Sequence, residues 1–406
     1  MILPLFVPID EINNIINQIF HNTVITEDHL EQLFLKNNNL IINSSTKKAV
    51  YNFISEYKDS IETLKSYAKE LERLILWCHI VAKIEILNVT REHIVKYQQF
   101  LENPTPKELW CGNKVPKLLK TGEINKEWRP FYHHLAKPSI KKTLKIIDSF
   151  FNYLVQINCL QGNPLAITRR RNSNNSAPKI VDRYLEIDEI NWVLDALAKY
   201  FNQHEENTKV KENQQKFLTI RAKYIILLLF YTGIRISEAA NHTMGNFIQR
   251  ETNWFLAIIG KGKKYREIPI PDELLDALSD FRRTIGLSYL PEFKESTPLI
   301  PNVDLKSHLT SRRVDQILKW AFKLGADYIS IEHPRKASKL NLASAHWLRH
   351  SYVTYLLNSG APLKVAQENA GHSDVGTTML YRHVNQVDRH KATRNLSLKS
   401  IINSEE

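Results

Sequence analysis

One polar segment divides this chain into two halves and limits the folds that it can adopt. Residues 161–179, QGNPLAITRRRNSNNSAPK, are rich in Asn, Ser and Pro and interrupt the hydrophobic periodicity on both sides. Such a composition is typical of a connection between domains. A chain of 406 residues is long enough for two or three domains. We therefore expect separate folding units joined by a basic linker over 166–183.

The half before the linker predicts a helical domain over 46–165. Apolar residues recur at helical spacing from Ile61 to Leu74, and 138–158 carries a second, strongly amphipathic pattern. The irregular, Pro-containing stretch 104–136 is interpreted as an insertion, with a loop that lies on DNA or on a partner subunit as the alternative. Residues 1–45 predict an N-terminal extension with one or two short helices that pack on a neighbouring domain.

The half after the linker, 184–406, predicts helices around one small β-sheet near 250–270. The stretch 216–233 indicates a buried helix that ends at Gly233. In 254–271 the period changes, and two β-rich runs flank a Gly-Lys turn, which predicts a hairpin. The stretch from His346 onward is helical, with breaks at Gly360–Pro362 and at Gly371–Asp374. The fold class is mainly α, with an α+β second domain and a short helical tail.

Charge and cysteine content narrow the class of protein. The net charge of +12 and the pI of about 9.3 favour a polyanionic partner such as nucleic acid, with a solvated basic surface as the alternative. Three separated cysteines without a C-x-x-C argue against a disulfide framework or structural zinc. The N-terminus lacks a basic signal-peptide region, and no apolar run approaches the roughly 20 residues of a membrane span. We expect a cytoplasmic protein without a membrane partner.

Four residues between His346 and Tyr381 match the needs of a site that cuts phosphodiesters without a metal. His346 and Arg349 share one helix face because they are three residues apart. His372 follows a helix stop at Gly371, and Tyr381 comes nine residues later. The segment TGIRISE adds Arg235, and the predicted hairpin IIGKGKKYREIPI adds Lys261, with Lys263 and Lys264 as neighbours.

The chemistry explains why these residue types belong together. A tyrosine nucleophile such as Tyr381 keeps the phosphate as an ester, so a second DNA end can reverse the step without ATP. Its phenol has an ordinary pKa of about 10 and needs help to lose its proton, for which His346 is placed. Arg235 and Arg349 would hold the phosphate oxygens with their guanidinium forks, and His372 would donate to a non-bridging oxygen. Glu238 would hold Arg235 or His346 in place.

Each residue alone is ordinary, but the ordered set resembles the tyrosine recombinase (phage integrase) family, with spacings similar to its Xer-type members. The resemblance is sharp over 232–384 and looser over 46–165. It implies a helical core-binding domain and a catalytic domain that clamp opposite sides of a duplex. It also implies Lys261 as the general acid, with Lys263 left open, and a homo-tetramer on paired DNA sites. No cofactor or metal is expected, because the cations belong to the protein.

Further basic residues are candidate contacts to double-stranded DNA, with a solvated face or a flexible hinge as the alternative. On the helix 138–158 and in the linker these are Lys141, Lys142, Lys145, Arg169, Arg170 and Arg171. In the hairpin, Lys263 and Lys264 join them.

The extension and the insertion favour the integrase or excisionase of a bacterial mobile element, associated with the nucleoid and aided by DNA-bending or directionality proteins. A chromosome- or plasmid-dimer resolvase or a transposase of the same family is the alternative. Two further hypotheses are a relaxing type IB topoisomerase, which the spacing disfavours, and a catalytically silent DNA-binding protein. A metal-dependent nuclease is disfavoured because the sequence lacks a carboxylate cluster.

Overall fold

A computed structural model describes residues 2–20, 32–35, 42–166, 183–202, 209–260, 262 and 264–371. The chain forms two compact units, an N-terminal unit (Met1–Ser176) and a C-terminal unit (Ala177–Glu406). The division lies within the predicted linker, most of which is outside the described residues together with Arg169, Arg170 and Arg171. The predicted boundaries at 45, 165 and 183 stay predictions.

The N-terminal unit is helical in its described part. Its α-helices are α1 (Ile9–Phe20), α2 (Ser44–Ser55), α3 (Ile61–Trp77), α4 (Arg91–Glu102), α5 (Lys107–Trp110) and α6 (Lys137–Gln156). Side chains start two of these helices: Asn43 accepts the N–H of Thr46 at 2.7 Å, and Pro138 occupies the first turn of α6. The amphipathic pattern over 138–158 thus folds as the predicted helix.

The stretch 104–136 packs into the core of this unit. Trp110 and Phe131 are fully buried, and Trp128 is nearly so. The described N-terminal residues share the same core, because Phe6 is also fully buried. The extension and the insertion therefore bury apolar area together with α3 and α6.

Two buried ion pairs tie these segments to α3. Glu72 accepts the backbone N–H groups of Leu5 and Phe6 at 2.8 and 3.0 Å and pairs with Lys117 at 2.9 Å. Glu70 pairs with Arg73 at 3.1 Å, and Arg73 also donates to the carbonyl of Pro130 at 3.0 Å. Each buried carboxylate thus has a cation and further hydrogen bonds, as burial of charge requires.

The C-terminal unit combines helices with one small sheet. Its described helices are α7 (Ile187–Asn202), α8 (Lys209–Thr232), α9 (Ile236–Ala239), α10 (Asp272–Thr284), α11 (Ser311–Ile329), α12 (Pro334–Asn341), α13 (Ala345–Asn358) and α14 (Leu363–Ala370). The sheet is antiparallel in the order β1 (Phe247–Arg250), β2 (Asn253–Ile259) and β3 (Tyr265–Ile270). The predicted hairpin is confirmed as β2–β3, whereas β1 and α12 were not expected.

Helix α8 runs through the core and ends where the sequence predicts. Its residues from Tyr224 to Leu229 are at most 2% exposed. The next residue after the helix is Gly233, whose φ of 59° favours glycine. A Cβ there would lie 2.3 Å from the ring of Tyr352 on α13. The turn therefore brings the start of α9 close to α13.

Within the described residues, no helix is long and apolar enough to cross a lipid bilayer.

Candidate functional site

Two predicted arginines converge on the end of α14. Arg235, the residue before α9, donates from Nη2 to the carbonyl of Gly371 at 3.1 Å. Arg349 on α13 donates to the carbonyls of Gly233 and Ala370, both at 2.5 Å. Consecutive carbonyls at the C-terminus of one helix thus receive the two guanidinium groups. These carbonyls carry partial negative charge, which favours cations there.

Glu238 joins the first arginine to a third. Its carboxylate pairs with Arg235 at 3.1 Å and with Arg266 at 2.7 Å, and it accepts the Arg235 N–H at 2.8 Å. Burial alone would raise the pKa of Glu238, but the hydrogen bonds from Arg266 and from the Arg235 backbone outweigh it and lower that pKa. We call Arg235, Glu238, Arg266 and Arg349 the arginine centre.

Arg266 is the member of this centre that was not predicted from the sequence. It lies on β3, opposite Ile258, and donates from Nε to the carbonyl of Asn369 at 3.0 Å. The sequence pattern could have indicated it, because Arg266 lies two and four residues before Ile268 and Ile270 and so shares their face of the strand. An arginine in such a stripe requires a partner. Arg266 links the hairpin to both α9 and α14.

His242 is a second unexpected link. Its Nε2 accepts the N–H of Ile259 at 2.9 Å, so its Nδ1 carries the proton that is donated to the carbonyl of Glu238 at 2.8 Å. The neutral ring therefore joins the end of β2 to α9. This contact lies two residues before Lys261.

His346 lies on the first turn of α13 and keeps solvent access. Partial burial lowers the pKa of its imidazole, and the positive charges of Arg349 and Arg235 lower it further. Its ring centroid is 4.1 Å from that of His350. A lowered pKa favours the neutral imidazole, which is the form that can accept a proton.

Gly371 closes the centre at the end of α14. Its φ of 63° ends the helix in the left-handed region, as the predicted helix stop requires. A Cβ at this position would approach Arg266 Cζ to 3.1 Å. A side chain there would therefore meet both backbone strain and the arginine.

Of the remaining predicted residues in the C-terminal unit, only Lys264 lies within the described part of the chain. Lys261, Lys263, His372 and Tyr381 lie outside the described residues, and their roles stay predictions. Lys264 is exposed, and its carbonyl accepts the N–H of Gly260 at 2.9 Å, across the loop that contains Lys261.

The three lysines of α6 belong to the N-terminal unit. Lys141, Lys142 and Lys145 are all exposed. Lys142 and Lys145 line an open groove of about 450 Å³ together with Glu62 and Tyr67 of α3.

The arginine centre has the chemistry of an anion site. Guanidinium groups match the oxygens of a phosphate in pairs. No cluster of three His, Cys, Asp or Glu residues able to hold a metal ion occurs in the part of the chain that the structure describes.

Comparisons with known proteins agree with this chemistry. The model of the phage integrase family matches residues 199–387. A tyrosine recombinase of Thermosipho africanus is 28% identical over 342 residues, which cover 84% of this chain and 94% of that protein. Tyrosine recombinase XerD of Haemophilus ducreyi is 35% identical over 170 residues, covering 41% of this chain and 51% of that one.

The fold has a solved counterpart. The crystal structure of the XerH site-specific recombinase bound to its difH substrate, a pre-cleavage complex, superposes with a TM-score of 0.53. The two chains are 16% identical, and the match covers 97% of this chain and 99% of XerH. At that identity the likeness concerns the fold. The family match and the sequence relatives support a tyrosine recombinase of the Xer/integrase family, which cuts and rejoins DNA at specific sites.

Proposed function

We propose that this protein cuts and rejoins DNA through a 3′-phosphotyrosyl intermediate on Tyr381. The observation that carries the proposal is the convergence of Arg235 and Arg349 on the carbonyls of Gly371 and Ala370. The chain passes directly from these carbonyls to His372 and, nine residues later, to Tyr381. The arginines are thus fixed at the end of the helix after which the sequence continues to the proposed nucleophile.

The proposed step forms one phosphorus–oxygen bond for each one that it breaks. The phenolic oxygen of Tyr381 attacks the phosphorus, and the bond between phosphorus and the 5′-oxygen breaks. The phenolic proton passes to neutral His346, and the departing 5′-oxygen takes a proton from Lys261, or from Lys263 if that lysine reaches it. Attack of a 5′-hydroxyl on the phosphotyrosine reverses each transfer and rejoins the strand. No ATP is consumed.

The arginine centre would stabilise the transition state of this step. Negative charge gathers on the equatorial oxygens, where fixed guanidinium donors bind it without reorganising. Glu238 and Arg266 hold Arg235 at the end of α14. His372 would donate a further hydrogen bond to a non-bridging oxygen.

Double-stranded DNA is the proposed substrate, and further basic groups would grip its backbone. Lys142 and Lys145 line the groove of the N-terminal unit, with Lys141 exposed on the same helix. Arg169, Arg170 and Arg171 of the linker, with Lys263 and Lys264 of the hairpin loop, would add phosphate contacts. Strand exchange requires two cut duplexes, which a homo-tetramer on paired sites would provide.

The biological role that we propose is integration and excision of a bacterial mobile element. The support is the extension over 1–45 and the insertion over 104–136, whose described parts share a core with α3. Dimer resolution and transposition by the same chemistry are the alternatives. Accessory bending or directionality proteins would assist, and the protein would act at the nucleoid.

Trapping the covalent intermediate tests the proposal. Suicide duplexes nicked near the cut, carrying candidate element ends, are incubated with protein in EDTA and separated on denaturing gels. We expect a protein–DNA band for the wild type and for Tyr289→Phe, a control at an exposed tyrosine, and no band for Tyr381→Phe. A band for Tyr381→Phe would overturn the assignment of the nucleophile. Tight duplex binding without a band at any site would favour a silent DNA-binding protein.

A further inference from the structure

Three consecutive carbonyls end α14, and each accepts a hydrogen bond from a different arginine. The pairs are Asn369 with Arg266 at 3.0 Å, Ala370 with Arg349 at 2.5 Å and Gly371 with Arg235 at 3.1 Å. The last carbonyls of a helix have no partner within it, so they are available to hold these groups. A helix of eight residues is too short to fix its own end, so contacts with neighbouring elements must do so.

One such contact comes from Tyr352 on α13. The side-chain amide of Asn369 donates from Nδ2 to the hydroxyl of Tyr352 at 3.0 Å. Both side chains are partly buried, and Asn369 is the hydroxyl's hydrogen-bond partner in the described part of the chain. The next residue, Ala370, is fully buried and packs in one small cluster with Tyr352. Tyr352 therefore holds the last turn of α14 through a polar and an apolar contact.

The ring of Tyr352 also packs against the turn before α9. A Cβ at Gly233 would lie 2.3 Å from Cδ1 of the ring, so the glycine and the ring are in direct contact. The carbonyl of Gly233 accepts a hydrogen bond from Nη1 of Arg349 at 2.5 Å. Tyr352 thus lies against both backbone segments that hold the Arg349 guanidinium. It follows Arg349 by three residues on α13, which places the two side chains on one face of the helix.

The hydroxyl of Tyr352 makes these contacts without a charge. Burial raises the pKa of Tyr352, although the Asn369 hydrogen bond and the positive charges of Arg266 and Arg349 act in the opposite direction. The phenol therefore keeps its proton at neutral pH. A neutral group can fix the end of α14 while the guanidinium groups keep their full charge for a ligand. Glu238, by contrast, offsets part of that charge.

We propose that Tyr352 and Asn369 are positioning residues for the arginine centre, which act by fixing the carbonyls at the end of α14. The inference rests on the proposed function, since it takes phosphodiester cleavage as the reaction that the centre serves. The pair acts through Arg266 and Arg349 and not by contact with DNA. Fixed donors stabilise a transition state only at the right distance, so loosening their supports slows the chemical step more than it weakens binding.

Removing the hydroxyl alone tests the pair. Single-turnover adduct formation on a suicide duplex that the wild type cuts is compared for Tyr352→Phe, Asn369→Ala and the double variant. Tyr355→Phe is the matched control, because it removes from the same helix a hydroxyl that accepts the Ile187 N–H at 3.0 Å. We expect each single variant to react about tenfold more slowly and the control to react at the wild-type rate. The double variant should be no slower than either single variant, because both changes remove one interaction.

Two further readouts separate positioning from a loss of stability. Tyr352→Phe and Tyr355→Phe should lower the unfolding temperature by similar amounts, because each loses one hydrogen bond of similar length. On a duplex with a neutral methylphosphonate at the cut position, Tyr352→Phe should lose less rate than on the phosphate, since guanidinium charge matters less there. Equal losses on the two duplexes would mean that the hydroxyl supports only the fold, which would overturn the inference.

The two proposals fail in different ways. If the wild type forms the adduct and Tyr352→Phe reacts as fast as Tyr355→Phe, the positioning role is wrong and the proposed function stands. A double variant whose loss is the product of the two single losses would overturn the shared role of the pair. If the wild type forms no adduct on any candidate element end, the proposed function itself fails.

Discussion

Two networks of buried charge in this molecule differ in their balance of acids and cations. In the N-terminal unit, Glu70 pairs with the buried Arg73 and the exposed Lys69, and Glu72 pairs with Lys117, so two acids are present beside these cations. In the C-terminal unit, one acid, Glu238, is shared by Arg235 and Arg266. Arg349 beside them, 2% exposed, hydrogen-bonds to two backbone carbonyls.

The difference indicates different uses of burial. The N-terminal network joins distant segments, since its bonds reach Phe6, Pro130 and Thr143 from α3. Such a network fixes a fold. In the arginine centre, carbonyl dipoles and one shared carboxylate hold guanidinium groups whose full charge can still act on a ligand. A phosphate would add negative charge to the arginine centre, where three guanidinium groups lie beside one carboxylate.

The largest effect that separates the networks should come from Arg349→Ala. Removing one fixed donor from the transition state should slow single-turnover cleavage by about 10²–10³-fold or more. Duplex affinity should change little, because many other phosphate contacts remain. Gel shifts and cleavage on one suicide duplex measure both. Equal losses in the two assays would indicate a folding defect instead. The functional role given to the arginine centre would then lack support.

Arg73→Met should act on stability alone. It leaves Glu70 buried with the exposed Lys69 and Thr143 as its remaining described partners, and breaking a buried pair costs about 3–5 kcal/mol. Lys65→Met is the matched control, because its pair with Glu62 is exposed and should contribute about 0–1 kcal/mol. Urea unfolding measures both. Slower cleavage by folded Arg73→Met protein would contradict the division of roles.

Glu238→Gln should reduce cleavage by about tenfold or more while leaving duplex binding intact, since it loosens Arg235 and Arg266 without removing them. The stability that ionised Glu238 contributes follows from its lowered pKa. That contribution is present above the ordinary pKa of a glutamate and is lost as pH falls through the lowered value. Unfolding against pH should therefore show a weaker acid dependence in Glu238→Gln. An unchanged acid dependence would mean that the carboxylate is not held by these bonds.

The smallest effect concerns the acid limb of the pH–rate profile for cleavage. Because the pKa of His346 is lowered, the rate should fall only at a pH below the ordinary histidine value. Arg235→Gln should move this limb to higher pH, and only part of the way, since burial is the larger cause. Single-turnover rates against pH measure the shift. A limb that stays in place would mean that another group titrates.

Sequence patterns predicted most helices and the two helix ends that lie at the arginine centre. Gly233 and Gly371 stand at the predicted helix stops because few other residues adopt positive φ at low cost. Strand β1 escaped prediction because, in FIQR, only Phe247 is buried, so no alternation can be read. Helix α12 escaped because its eight residues bury only Ala337 and Leu340.

The candidate site was predicted in part, for a physical reason. Residue types suited to the chemistry are visible in a sequence, so Arg235, His346 and Arg349 could be named. Their partners could not, because the carbonyl of Gly233 lies 116 residues from Arg349 and any residue can supply a carbonyl. Arg266 was predictable from strand alternation, and His242 was not, since its ring bonds are made to backbone atoms.

The central claim is that the arginine centre acts by neutralising the charge of a phosphate. We would measure single-turnover adduct formation by the wild type and Arg349→Ala on two suicide duplexes. One carries the ordinary phosphate at the cut position, and the other a neutral methylphosphonate. We expect a large loss for the variant on the phosphate and a much smaller loss on the methylphosphonate, where less charge develops. Equal losses on the two duplexes would contradict it.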